Sequence, residues 1–205
     1  NATVFEGYEL LALSSSTVQA LLVNGEAAVS AADGDAVQVL RDSTPFGGAG
    51  GGQGGDRGLL VGGGPDGNGL IVVIEGVSRN RGVFVHSGRV QRGRLGVGDV
   101  VHGQVDRACR RRAQANHTAT HLLQAALKQV VDPGIGQAGS LVNFERLRFD
   151  FHCPRAVNPA ELEQIETLIN DWISDAHRLD VNEMAIEQAQ AAGAVAMFGE
   201  KYADV

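Results

Sequence analysis

Cysteine is scarce in this chain: Cys109 and Cys153 are the only two. Two thiols build no disulfide framework, and their scarcity fits a reducing, cytoplasmic setting. Long apolar stretches are missing as well. No run of about 18 apolar residues occurs, so no membrane span is expected. The opening Asn1-Ala-Thr-Val-Phe-Glu-Gly-Tyr8 lacks the basic-then-apolar layout of a signal peptide. An initiator Met is also lacking, and the chain closes at Asp204-Val205 just past a well-patterned segment. Both ends read as cuts in a longer protein. Positive charge is in deficit, with a net charge of −7. That argues against a general nucleic-acid coat, though not against a local basic site.

What is present is a chain of 205 residues, 43% hydrophobic, enough for a real core in one large domain or two small ones. Residues 1–105 read as β. Short apolar stretches (Leu21-Leu22-Val23, Ala36–Leu40, Gly69–Ile74, Arg81–Val85) alternate with turn signals at Asn24-Gly25, Asp33-Gly34, Asp66-Gly67 and Gly96-Val-Gly-Asp99. Regular short strands of this kind predict a small antiparallel barrel, with Gly93–Asp106 as a strand pair at its edge. Residues 47–55 are all glycine except Ala49 and Gln53. The composition alone favours a flexible linker. The tight apolar flanks, Val37–Leu40 and Leu59–Val61, favour a loop whose backbone approaches a ligand. No Lys follows, so the run is not the Gly-x-x-x-x-Gly-Lys phosphate loop.

From about residue 106 the pattern changes. Arg107, Arg110, Arg111 and Arg112 lead into a helix expected over 113–130, ending near Asp132-Pro133-Gly134. Within it, His117 and His121 are four residues apart, on one helical face with Cβ atoms roughly 5–6 Å apart. Two imidazoles so placed can share one metal ion. Without a Glu beside the first His, the pair is not the metalloprotease motif. It is equally readable as two surface histidines. Ser140–Phe151 alternates from Glu145 onward and predicts a half-buried strand with Leu147, Phe149 and Phe151 on one face. Asn158-Pro-Ala-Glu161 is a helix start, and Leu162, Ile165, Ile169 and Ile173 recur at helical spacing. A short strand is expected at 180–184, a helix at 186–193 and a strand or turn at 195–198. The predicted fold is α+β: a small antiparallel β-barrel over 1–105, then an α+β domain over 106–205.

Several motifs together resemble the editing region of alanyl-tRNA synthetases. They are Asp42-Ser-Thr-Pro-Phe46, Gly51-Gly-Gln53, Asp56-Arg-Gly58, Asn116-His-Thr-Ala-Thr-His-Leu-Leu123, Gln137-Ala-Gly-Ser-Leu-Val142, Leu147-Arg-Phe-Asp-Phe151 and Met197-Phe-Gly-Glu-Lys-Tyr202, in the family's order. The resemblance covers nearly the whole chain. Free-standing alanyl-tRNA trans-editing proteins share these features, and the second additional domain of threonyl-tRNA synthetases shares the later ones.

The resemblance implies a zinc-dependent deacylase within an alanine–tRNA ligase, whose aminoacylation domain uses ATP and alanine. Its substrates would be Ser-tRNA(Ala) and Gly-tRNA(Ala). In the family, zinc is held by the His-x-x-x-His pair and a later Cys-x-x-x-His pair. His117 and His121 match the first. Neither Cys109 nor Cys153 has a His four residues on, so the second is expected beyond residue 205, and His152 is read as structural. Thr44 matches the residue that hydrogen-bonds the serine hydroxyl. Gln53 and Gln137 match positions near the site, with Gln53 placed to reach the substrate or terminal adenosine. Arg110, Arg111 and Arg112 would meet phosphates of the tRNA(Ala) acceptor end. The alternative on the same scaffold is an inactive tRNA-binding or structural module. One departure stands out: the family usually carries Tyr, Glu and Ser before Gly-Gly-Gln and a Val after it, and here Gly47, Gly48, Gly50, Gly51 and Gly54 occupy that region. More glycine means more entropy to lose on ordering, against pre-organisation of Thr44 and Gln53.

The chemistry follows from the selection problem. Serine and glycine differ from alanine by one hydroxyl or one methyl, worth about 1–3 kcal/mol in an apolar pocket. A second, hydrolytic site removes the residual errors. It needs an activated water and a polarised ester carbonyl, both within the reach of a zinc ion with an open position.

Overall fold

The computed structural model describes residues 2–63, 69–178, 182 and 184–193. The Asp66-Gly67 turn, the 195–198 segment, the Met197–Tyr202 motif and most of the strand expected at 180–184 lie outside these residues. The first strands are β1 (Val4–Phe5), β2 (Ala12–Val23), β3 (Glu26–Ala28), β4 (Ser30–Ala31), β5 (Ala36–Arg41) and β6 (Ser43–Thr44). Then come β7 (Gly58–Gly62), β8 (Leu70–Asn80), β9 (Val83–Arg92), β10 (Leu95–Gly96) and β11 (Val100–Val105). The helix α1 (Arg107–Val130) leads to β12 (Gln137–Val142), β13 (Leu147–Phe151), α2 (Pro159–Asp175) and α3 (Ile186–Ala191). The molecule is α+β.

Six strands close an antiparallel barrel in the order β11-β7-β8-β9-β5-β2, with β2 returning to β11 through pairs such as Val100–Thr17. Strand β3 extends β2 outside the ring through Asn24 and Gly25, both at positive φ. Alternation builds the core. Val101 and Val105 of β11, Val37 and Val39 of β5, and Leu70, Val72 and Ile74 of β8 all point inward. At the tightest approach, a Cβ on Gly88 would lie 1.9 Å from the Val73 carbonyl oxygen, so β8 and β9 pair only around glycine there.

The chain forms two compact units. The first holds Asn1–Thr118 and Leu141–Arg148, the second Ala119–Ser140 and Phe149–Val205. The second unit has its own core of Ala126, Leu127, Ile135 and Ile165, with Phe149, Phe151, Leu168, Ile169 and Trp172 packed against it. Among the described residues no helix is long and apolar enough to cross a membrane.

Three expectations are corrected. Helix α1 begins at Arg107, six residues earlier than the apolar spacing predicts. Asp106 is the reason: its carboxylate accepts from the Cys109 N–H (2.9 Å), a bond that holds the carboxyl below its usual range. The single strand expected over 140–151 is two strands. Asn143 folds a turn between them, its side-chain oxygen accepting from the N–H groups of Glu145 and Arg146 (both 2.8 Å). Along α2 the expected apolar stripe is only partly inside, since Ile165 is buried while Leu162 and Ile173 are 55% and 57% exposed. The start of α2 is as expected, with Asn158 and Glu161 exchanging the two bonds of a capping box.

Candidate functional site

The barrel end from which the glycine loop leaves is built on buried polar groups. Arg41 and His86 occupy inward positions that alternation otherwise gives to apolar residues, and both are essentially unexposed. His86 Nδ1 lies 3.0 Å from the Val39 carbonyl oxygen, which only accepts, so this nitrogen carries the proton. Nε2 then accepts from the Thr44 hydroxyl at 2.7 Å, and the same Thr44 oxygen accepts from the Phe46 N–H at 3.2 Å. Burial foremost, with the nearby Arg41 charge adding to it, pushes the His86 pKa down to about 4, against the bond to Val39. The ring is neutral at physiological pH. Arg41 Nε donates to the Ser16 hydroxyl at 2.6 Å, while neither Nη has a hydrogen-bond partner among the described residues. Burial lowers its pKa to about 10, leaving it charged at neutral pH. Gly103 makes room for it: a Cβ there would sit 2.9 Å from Arg41 Nη1.

Thr44 therefore does not present its hydroxyl to an open surface, in contrast to the expectation from the sequence. It is fully buried, and both roles of its oxygen are taken up within the protein. Its effect is to fix the Pro45-Phe46 corner that leads into residues 47–55.

Those residues are not a free linker. The Ala49 N–H donates to the Val77 carbonyl (2.8 Å), while Gly50 and Gln53 bond each other reciprocally (3.0 and 2.9 Å). Val142 donates to the Gly52 carbonyl and accepts from the Gly54 N–H (both 2.8 Å), bridging Gln53 in parallel. A Cβ on Gly55 would fall 2.0 Å from the Val77 carbonyl oxygen, so glycine is required by that close approach. The neck of the loop is clamped. Asp56 bonds the backbone of Gly47 through both its N–H and its carboxylate, and the carboxylate pairs with Arg110. Arg110 also donates to the carbonyls of Gly7 (2.9 Å) and Pro45 (3.0 Å).

The loop's one polar side chain, Gln53, meets His117. The Gln53 Oε1 to His117 Nδ1 distance is 2.8 Å. Next to His117 on α1, Asn116 donates to the Asn143 carbonyl at 2.8 Å. His121 follows one helical turn later and is exposed, and Gln137 opens β12, half-buried. The first unit also contains a cavity of about 400 Å³, lined by Gly54, Gly55, Arg57, Cys109, Phe144 and Glu145 among others. Arg57 lies 4.7 Å and Arg112 5.6 Å from the centre of the Phe144 ring.

Of the three arginines expected at phosphates, Arg110 is turned inward as the loop clamp, its side chain 11% exposed. Arg111 and Arg112 are exposed. Arg41, His86 and the clamping role of Asp56 are not apparent from the sequence motifs. The available signal is parity, since Arg41 and His86 fall in step with Val37, Val39, Phe84 and Val90 along their strands. Among the described residues no group of three or more His, Cys, Asp or Glu is placed to hold a metal ion. His117 and His121 stand one helical turn apart on α1.

Comparison with known proteins bears on this arrangement. The profile of the family "tRNA synthetases class II (A)" matches residues 1–109. An alanine–tRNA ligase of Synechococcus sp. (strain CC9311) is 88% identical over 205 residues, all of this chain and 23% of that protein. Another, from Synechococcus sp. (strain WH7803), is 77% identical over 203 residues, 99% of this chain and 23% of its own length. That of Prochlorococcus marinus (strain MIT 9313) is 68% identical over 204 residues, 100% of this chain and 23% of its own. The chain thus spans about a quarter of the length of the curated relatives it matches. It belongs to the class II (A) tRNA synthetase family, and along its whole length it is similar to a segment of alanine–tRNA ligases.

Proposed function

We propose that this segment is the editing region of an alanine–tRNA ligase, hydrolysing Ser-tRNA(Ala) and Gly-tRNA(Ala). The parent enzyme would join alanine to tRNA(Ala) with ATP through a domain outside this chain, in the cytoplasm. The observation that carries the reading is the His117–His121 pair on α1, the first of whose rings is bonded to the only polar side chain of the glycine loop. In this reading residues 1–105 form the barrel domain and 106–205 the editing domain.

His117 and His121 would hold a zinc ion completed by a Cys-x-x-x-His pair beyond residue 205. Bound there, zinc supplies a polarised ester carbonyl and water ionisable near neutral pH. The chain's own residues prepare that site. The glycine loop and its Asp56–Arg110 clamp fix where Gln53 stands. Thr44 and His86 hold the corner from which the loop departs. Thr44 is the residue that the resemblance assigns to the serine hydroxyl, and its own hydroxyl is bonded to His86 in this structure. Gln137 is kept as a candidate polar contact. Arg111 and Arg112, exposed on the first turns of α1, are the residues left for acceptor-end phosphates.

The test is deacylation of Ser-tRNA(Ala) by the longer protein that carries this segment. His117→Ala and His121→Ala should each lower the rate by more than the about 10–100-fold lost when only an outer-shell partner of a metal ligand is removed. Undiminished hydrolysis in both variants would remove the site. A metal-free, inert protein with salt-sensitive tRNA binding would instead favour the binding-module reading.

A further inference from the structure

We infer that Gln53 is a positioning residue for His117: its amide oxygen fixes the tautomer and orientation of the imidazole. This rests on the reading of His117 as a metal ligand and assigns Gln53 a task other than contact with the substrate. The argument begins with the acceptor. An amide oxygen cannot donate, so at 2.8 Å from Oε1 the Nδ1 of His117 carries the proton. The basic lone pair of the ring is then on Nε2, the nitrogen that would ligate a metal. Ligating histidines are commonly held this way, with the far N–H given to a carboxylate or carbonyl oxygen that sets the ring and raises its basicity.

The backbone around Gln53 is suited to the task. Residues 52 and 54 are tied to Val142 on either side of it, and Gly50 bonds it across the turn. A long side chain on a free loop would lose rotamer entropy on being held. Here the backbone beneath it is already hydrogen-bonded at three neighbouring positions. The remaining members of residues 47–55 are glycines and one alanine, so no other side chain of the loop can reach the ring. Glycine at these positions lets the loop run close against Val77 and Arg79, where a Cβ on Gly48 would lie 2.8 Å from the Arg79 Cβ. On this account the glycine-rich sequence serves to bring one amide to one imidazole.

The experiment reads the tautomer directly, by ¹⁵N NMR of the histidine rings in the metal-free chain at pH 8. The expected result is a His117 ring protonated at Nδ1 and deprotonated at Nε2. Gln53→Ala should move it to the Nε2-protonated form, and Gln53→Glu, which offers the same acceptor, should keep the wild-type form. A wild-type ring protonated at Nε2, as if the amide nitrogen faced it, would overturn the proposal, as would a tautomer unchanged by Gln53→Ala. Zinc titration of the longer protein that carries this segment, with the same substitutions, is the second readout. Gln53→Ala should weaken binding about 10–100-fold. His117→Ala separates the two ideas. If it leaves zinc binding unchanged, the metal reading fails while the hydrogen bond stands. If it abolishes binding and Gln53→Ala does not weaken it, the positioning role alone is refuted.

Discussion

His86 is where a single residue's environment most alters its chemistry. Its unfolded pKa is near 6.5, and in the folded barrel burial lowers it to about 4. As pH falls, the unfolded chain takes up this proton first. The contribution is therefore intact above about pH 6.5 and is lost between there and pH 4, amounting to about 3 kcal/mol at most. Denaturant unfolding at a series of pH values should show stability falling across that window, and His86→Gln should flatten the fall. A wild-type slope retained in the variant would assign the effect elsewhere. The same residue shows the limit of reading without a fold. The histidine pair on α1 is visible as spacing, because a helix places residues four apart on one face wherever it lies. His86 looks ordinary in the sequence, because its significance comes from Val39, Thr44 and Arg41, all distant along the chain and near only once the barrel closes.

At the scale of elements, local rules are legible wherever the determining groups are neighbours in the chain. The Asn158–Glu161 capping box is complete within four residues. The Asn24-Gly25 turn needs only two residues able to take positive φ. The start of α1 is harder to place although its cap is also local, because apolar spacing marks the helix's buried middle and not its exposed first turns. The glycine loop is ambiguous for a different reason. Glycine permits both disorder and close approach, and only the partner decides which. The two cases separate experimentally. Gly55→Ala drives a Cβ into the Val77 carbonyl and should cost about 1–3 kcal/mol. A Cβ on Gly50 would meet nothing within 4 Å, and the residue is exposed, so Gly50→Ala should be neutral or up to about 1 kcal/mol stabilising. Equal effects of the two substitutions on the denaturation midpoint would contradict the docked loop.

At the scale of the whole molecule, charge frames the proposed interaction with tRNA. A chain of net charge −7 has no general attraction for a polyanion, so binding must rest on a few local cations. Arg111→Ala should lower the slope of log affinity against log salt by about one unit, as expected when one fewer phosphate is neutralised. Arg110→Gln should instead lower stability and leave the slope unchanged, since Arg110 is committed to Asp56, Gly7 and Pro45. Filter binding of tRNA across a salt series distinguishes them, and a slope that responds to Arg110 rather than Arg111 would reverse the assignment. The family and the α+β class are also readable at this scale, because strand alternation, helical spacing and the order of motifs are properties of the chain itself. The sequence alone determined the family, the α+β class and the locally specified starts and turns such as Asn158–Glu161 and Asn24-Gly25. Closure of β11 onto β2, the burial of Arg41 with Thr44 and His86, the inward turn of Arg110 and the meeting of Gln53 with His117 were decided by tertiary structure. The side-chain pairs among them join groups 40 or more residues apart, Thr44–His86 (42), Arg110–Asp56 (54) and His117–Gln53 (64), and no local rule specifies such a meeting.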